Sequence, residues 1–175
     1  MKTKKQQELI NDLLEKVDEK QQQPMSEIFE YLSEVGYNPY KQRSYIVFKH
    51  DRQKKTMAKT GIRINKGKDF FFALRFSACR GYSQRFEEIV HNAVSAEKAG
   101  WFGQAGCIEG KCGFCSGTPE SHVYTYIFSD GSKKTACGAV ALEIPNITAD
   151  DVPEIKKLIW EAHKYLMKHE VGVEV

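Results

Sequence analysis

The chain predicts an α+β fold: an antiparallel sheet of about five strands with helices packed on it, an N-terminal helical pair and a Cys-rich metal loop. Three observations lead there. Four stretches carry apolar residues at helical spacing, several shorter ones between them alternate with period two, and short polar turns join successive strands. Hairpins followed by helices build an antiparallel sheet with helices laid against it.

Residues 5–20 carry Leu9, Ile10, Leu13, Leu14 and Val17 on one helical stripe, which the tract Gln21-Gln22-Gln23-Pro24 interrupts. Pro24 suits the first turn of a second helix, whose Ile28, Phe29, Leu32 and Val35 share a face. Gly36 offers a left-handed stop with Tyr37 packing back, and Asn38-Pro39 reads as a turn. Strands follow at 44–49 and 58–64 around a basic loop, and Asn65–Lys68 reads as a hairpin turn. In the strand 69–78, Phe70, Phe72, Leu74 and Phe76 lie on one face, and Phe71, Ala73 and Arg75 on the other. Ser83 caps a helix with Phe86, Ile89, Val90, Ala93 and Val94 inward, and Gly100 closes it.

A glycine-rich loop occupies 101–120. Asp130-Gly131 then signals a hairpin between HVYTYIFS and KKTACGAVALEI, and a two-residue turn there puts Tyr124 opposite Cys137. The last helix starts near Asp150/Asp151, with Pro153 in its first turn and Ile155, Leu158, Ile159, Ala162, Tyr165 and Leu166 inward. The order is thus αα, ββ(β)α, loop, ββα, without residue-level repetition between the two strand–helix units. The length suits one α+β domain over 24–170 with a helical extension at 1–23.

Cysteine supplies the sharpest chemical signal. Cys107, Cys112 and Cys115 follow C-x4-C-x2-C spacing, and Cys137 stands 21 intervening residues further on. Four thiolates, three from a glycine-rich loop and one from a hairpin, are a ligand set for tetrahedral zinc or an iron–sulfur cluster. Glycines let the loop turn sharply, and Lys111 offsets part of the negative charge of a tetrathiolate. The spacing matches plant-type [2Fe–2S] proteins. The helical start, the basic hairpin and a pI near 8.5 do not, so the reading favours a structural zinc over [2Fe–2S]. A dithiol role for Cys112-Gly-Phe-Cys115 would want a helix N-terminus, and here the motif lies in a loop. Cys79 reads as a small buried hydrophobe, and His122 as a structural histidine before a substitute ligand.

Charge is uneven. Residues 41–68 hold ten Lys/Arg against Asp51 alone, about +9 in a chain of net +3. Lys41, Arg43, Lys49, Arg52, Lys54, Lys55, Lys59 and Arg63, interleaved with Tyr45 and Phe48, form a candidate nucleic-acid surface. No apolar run of membrane-spanning length and no secretory h-region occur, so a cytoplasmic, reducing setting is expected, with no membrane partner. The sequence contains no GxSxG, HExxH, Walker-type or GxGxxG motif. Glu87-Glu88 and Asp150-Asp151 fall at helix starts, where acids favour the dipole, and His163 and His169 do not share a helix face.

The strings EIFEYLSEVGYNPYKQRSYIVFK, DFFFALRFSA and GCIEGKCGFCSG…DGSKKTACGA…DDVPEIKKLIWEAHKYL resemble a family of small bacterial proteins of unassigned function with a C-x4-C-x2-C…C cluster. The resemblance spans most of 25–168 and implies a single unit and no activity. The sequence therefore favours a non-enzymatic binding or regulatory module for an unspecified ligand or protein partner, stapled by zinc on Cys107, Cys112, Cys115 and Cys137. Its alternatives are a nucleic-acid binder using the basic hairpin and a [2Fe–2S] or dithiol redox protein. It assigns no catalytic residue.

Overall fold

Helix α1 (Lys4–Leu14) opens on a capping box in which Thr3 and Gln6 satisfy each other's backbone amides. It ends earlier than expected, and α2 (Glu19–Glu34) begins before Pro24 rather than at it. Asp18 sets that start, its carboxylate accepting the Lys20 amide at 3.0 Å. The glutamine tract is thus helical. Pro24, in the second turn, has no N–H to bond and its ring crowds the carbonyl four residues back, a local cost that the helix carries within its length. Gly36 stops the helix at φ +100°, and a Cβ there would stand 3.0 Å from His50 Nε2. The computed structural model describes residues 1–64, 69–76, 79–95, 123–127, 130–137 and 141–168, with backbone alone for 94, 95, 123–127, 133–137 and 168.

The Asn38-Pro39 pair is not a turn but part of β1 (Tyr37–Gln42). That strand lies at the edge of a five-stranded antiparallel sheet, where a missing proline N–H breaks no ladder. Strands β2 (Tyr45–His50), β3 (Thr56–Arg63) and β4 (Asp69–Leu74) follow as a meander, so the expected strands at 44–49, 58–64 and 69–78 are present with shifted ends. Helix α3 (Gln84–Ser95) follows as expected from Ser83. The Asn65–Lys68 turn and the Gly100 stop lie outside the described residues.

The second hairpin departs from expectation twice. Strands β5 (Val123–Ile127) and β6 (Lys133–Cys137) pair with Val123, not Tyr124, opposite Cys137. The pair Ile127–Lys133 leaves an odd number of residues in the turn, where Asp130 accepts the Ser132 amide at 2.8 Å and Gly131 takes φ +79°. The expected long strand KKTACGAVALEI also divides. Its tail, β7 (Leu142–Glu143), leaves the two-stranded sheet and pairs with β4 at the far edge of the main one. Leu142 and Ile144 are buried there in the common core, which is what draws the chain across.

Strand alternation sorts the main sheet into two faces. Ile46, Phe48, Ala58, Phe72 and Leu74 belong to the core cluster with Phe29 of α2 and with Ile155, Leu158, Ile159, Ala162 and Leu166 of α4 (Val152–Lys168). Phe29 stacks on Phe48 at 5.1 Å and meets Phe72 at 6.1 Å. Ile10 and Leu13 of α1 join the same cluster. A 3-10 turn (Ala149–Asp151) leads into α4, and buried Asp151 accepts from the Thr148 amide and from Arg85 Nε at 2.8 and 2.7 Å. No helix among the described residues is long and apolar enough to cross a membrane.

Phe48 touches both layers and is fully buried. Phe48→Ala is expected to lower unfolding stability by about 3–5 kcal/mol in urea titrations. A loss below about 1 kcal/mol would contradict the packing described.

Candidate functional site

Of the proposed thiolate ligands, Cys107, Cys112 and Cys115 lie outside the described residues, as does His122. Cys137 ends β6 opposite Val123, the first residue of β5, at the open end of the hairpin. Among the described residues, no three His, Cys, Asp or Glu side chains gather to hold a metal ion. Cys79 is buried as expected, its thiol donating to the Leu158 carbonyl at 3.3 Å. Burial pushes its pKa far above the usual thiol range, which suits an inert core residue.

The basic residues do not converge into one patch. Arg43 lies in the β1–β2 turn at φ +53°, while Arg52, Lys54 and Lys55 occupy the β2–β3 turn at the opposite end of strands about 20 Å long. Lys55 is committed to structure, its Nζ donating at 3.1 Å to the Leu166 carbonyl in the last turn of α4. A cation there meets the negative end of the helix dipole. Arg63 is committed as well: both its Nη atoms meet Glu143, and Asp69 is 3.7 Å away. Glu143 first, against the opposing pull of burial, raises the guanidinium pKa further. Lys41, Arg43, Lys49, Arg52, Lys54 and Lys59 have no carboxylate partner among the described residues. Phe48 cannot serve as a stacking residue, since it is sealed in the core.

The second face of the sheet brings together side chains that the linear reading scattered. Register places Tyr40, Val47, Lys59, Ala73 and Glu143 in one row across the strands, and Gln42, Tyr45, Gly61 and Phe71 in the next. Val47 and Ala73 are buried yet stand outside the core cluster, on the side away from Phe29. At Gly61 a Cβ would meet the Tyr45 backbone at 3.2 Å and the Phe71 ring at 3.3 Å, so glycine lets the two aromatics close over β3. The Arg63 guanidinium carbon stands over the Phe71 ring, 4.5 Å from its centre. Period-two alternation around Phe71 and Lys59 was the available signal. The position of Gly61 between two aromatics appears only with the strand register.

A second cluster forms where β1 and β2 meet α4. The Tyr37 hydroxyl is 3.2 Å from His163 Nδ1, the His50 and His163 rings are 5.9 Å apart, and Trp160 stacks on His163 at 5.4 Å. His50 Nδ1 accepts the Gln53 amide at 3.3 Å, so the neutral ring carries its proton on Nε2 and offers no lone pair there to a metal. Chain positions 37, 50 and 163 are too far apart for any spacing rule to join them. Nearby, Asp51 accepts from Asn38 and Tyr40 and pairs with Lys2. Burial opposes its ionisation, but the bonds from Lys2, Asn38 and Tyr40 outweigh that and hold its pKa below the usual range.

Burial first, and the neighbouring His50 second, lower the His163 pKa beneath its ordinary 6.5. A folded pKa below the unfolded one means that the unfolded chain binds the extra proton first. This contribution to stability is therefore present above about pH 6.5 and is lost as pH falls towards the folded value. Unfolding titrations through this window should show stability falling with acidity, less steeply in His163→Gln. Identical slopes in the two proteins would contradict the assignment.

The chain matches no family model, no curated protein and no solved structure.

Proposed function

We propose that this protein is a non-enzymatic binding module in which Cys107, Cys112, Cys115 and Cys137 hold one structural zinc ion. The observation that carries the reading is the place of Cys137. It closes β6 against Val123, eight residues beyond Cys115, so the hairpin returns the distant cysteine to the chain leaving the cysteine-rich stretch. Three clustered thiols and one returning thiol make a four-thiolate set, and a closed tetrahedral shell of that kind leaves no position for substrate or water. Zinc there would join the small hairpin to the segment before it, and its binding free energy would add directly to folding. The histidines, acids and remaining cysteine described above are engaged in packing, capping or ion pairs, which supports a binding role over catalysis.

Elemental analysis of the purified protein should find about one zinc per chain in a colourless solution. Cys137→Ser should release the metal and lower the melting temperature. Visible absorbance with iron and acid-labile sulfide would replace zinc by a [2Fe–2S] cluster. A metal-free protein as stable as its Cys137→Ser variant would overturn the thiolate site altogether.

A further inference from the structure

We propose that the second face of the main sheet binds single-stranded nucleic acid, with bases stacked on Tyr45, Tyr40 and the Arg63–Phe71 pair and phosphates met by Lys49, Lys59 and Arg43. The proposal goes beyond the zinc-held module and does not depend on the metal. It also narrows the surface drawn from sequence charge, since Lys55 and Phe48 are spent on the fold and Arg52 and Lys54 lie in the β2–β3 turn, beyond the paired strands that form the face.

Two features of this face point to that ligand. Tyr40 is 39% exposed and Tyr45 and Phe71 are partly exposed, whereas Phe48 and Phe72 on the opposite face of the same strands are sealed in the core. Flat rings raised on a sheet give every base a π-face to stack on, whatever the sequence. Glu143 and Asp69 hold the Arg63 guanidinium over the Phe71 ring, 4.5 Å from its centre, which leaves a planar group on which a base can stack. The second feature is charge. Arg63 is neutralised by its acids, whereas Lys49, Lys59 and Arg43 carry positive charge with no carboxylate among the described residues to offset it. Lys59 projects from the middle of the face, between the buried Val47 and Ala73, and Arg43 stands at the rim beside Tyr45. A strand lying across β2 and β3 would therefore meet rings and cations in alternation. A duplex keeps its bases stacked internally and could use the cations only.

Fluorescence anisotropy with labelled oligo(U) and oligo(dT) tests this on the full chain. Three phosphate contacts predict a logarithmic salt slope of about −2, or roughly fifteen- to twenty-fold weaker binding at ~200 mM than at ~50 mM salt. Tyr45→Ala should weaken binding roughly five-fold or more, and Lys59→Glu should weaken it and flatten the slope. Arg52→Glu with Lys54→Glu should leave affinity within about two-fold, once small non-specific effects are allowed for. Thermal melting of each variant separates lost binding from lost folding, and Lys59, being exposed, provides a variant that leaves the core intact. Absence of binding at ~50 mM salt, equal competition by duplex, or loss through Arg52 and Lys54 instead of Lys59 and Tyr45 would each overturn the proposal.

Discussion

The stack of Phe29 on Phe48, with Phe72 alongside, is the contact on which the rest of the arrangement depends. It joins α2 to two strands and so decides which side of the sheet meets the helices. Because strand side chains alternate with period two, fixing Phe48 and Phe72 inward also turns Tyr45, Val47, Lys59, Phe71 and Ala73 to the opposite side. A slip of one residue in β2 would bury Lys49 against α2 and expose Phe48. The core and the proposed binding face are thus two consequences of one packing decision.

The loop ends are tied to the same layer. Lys55 reaches from the β2–β3 turn to the carbonyl end of α4, while His50 and Tyr37 pack against His163 on the same helix. Asp51 gathers Asn38, Tyr40 and Lys2 at the edge strand. These contacts explain why part of the positive charge concentrated at 41–68 is structural. A charged turn can close a fold as readily as it can attract a polyanion, and the partners of each cation decide which it does.

Much of the architecture was legible because it rests on periodicity. The Phe70–Phe76 alternation, the α3 and α4 stripes and the Gly36 stop all reflect local rules that the fold obeys. Misreadings arose where tertiary context overrode a local signal. Pro39 reads as a turn residue until the strand holding it proves to be an edge. Pro24 reads as a helix start until Asp18 caps the helix a turn and a half earlier. Leu142 reads as a continuation of β6 until the apolar core and β4 claim it. The Tyr45–Gly61–Phe71 arrangement and the Tyr37–His50–His163 cluster depend on register and long-range packing, which no linear spacing carries. For the four cysteines, sequence spacing remains the main argument, with the place of Cys137 in the hairpin its one structural support.

The main sheet commits one face to the core, and the other is the face proposed to take a ligand. Backbone amide NMR during titration with oligo(U) tests it most directly. Shifts are expected at Tyr45, Lys59, Gly61 and Phe71, with Arg52, Lys54, Ile155 and Leu158 undisturbed. Shifts centred on the β2–β3 turn or on α4, with Gly61 and its neighbours unchanged, would contradict it.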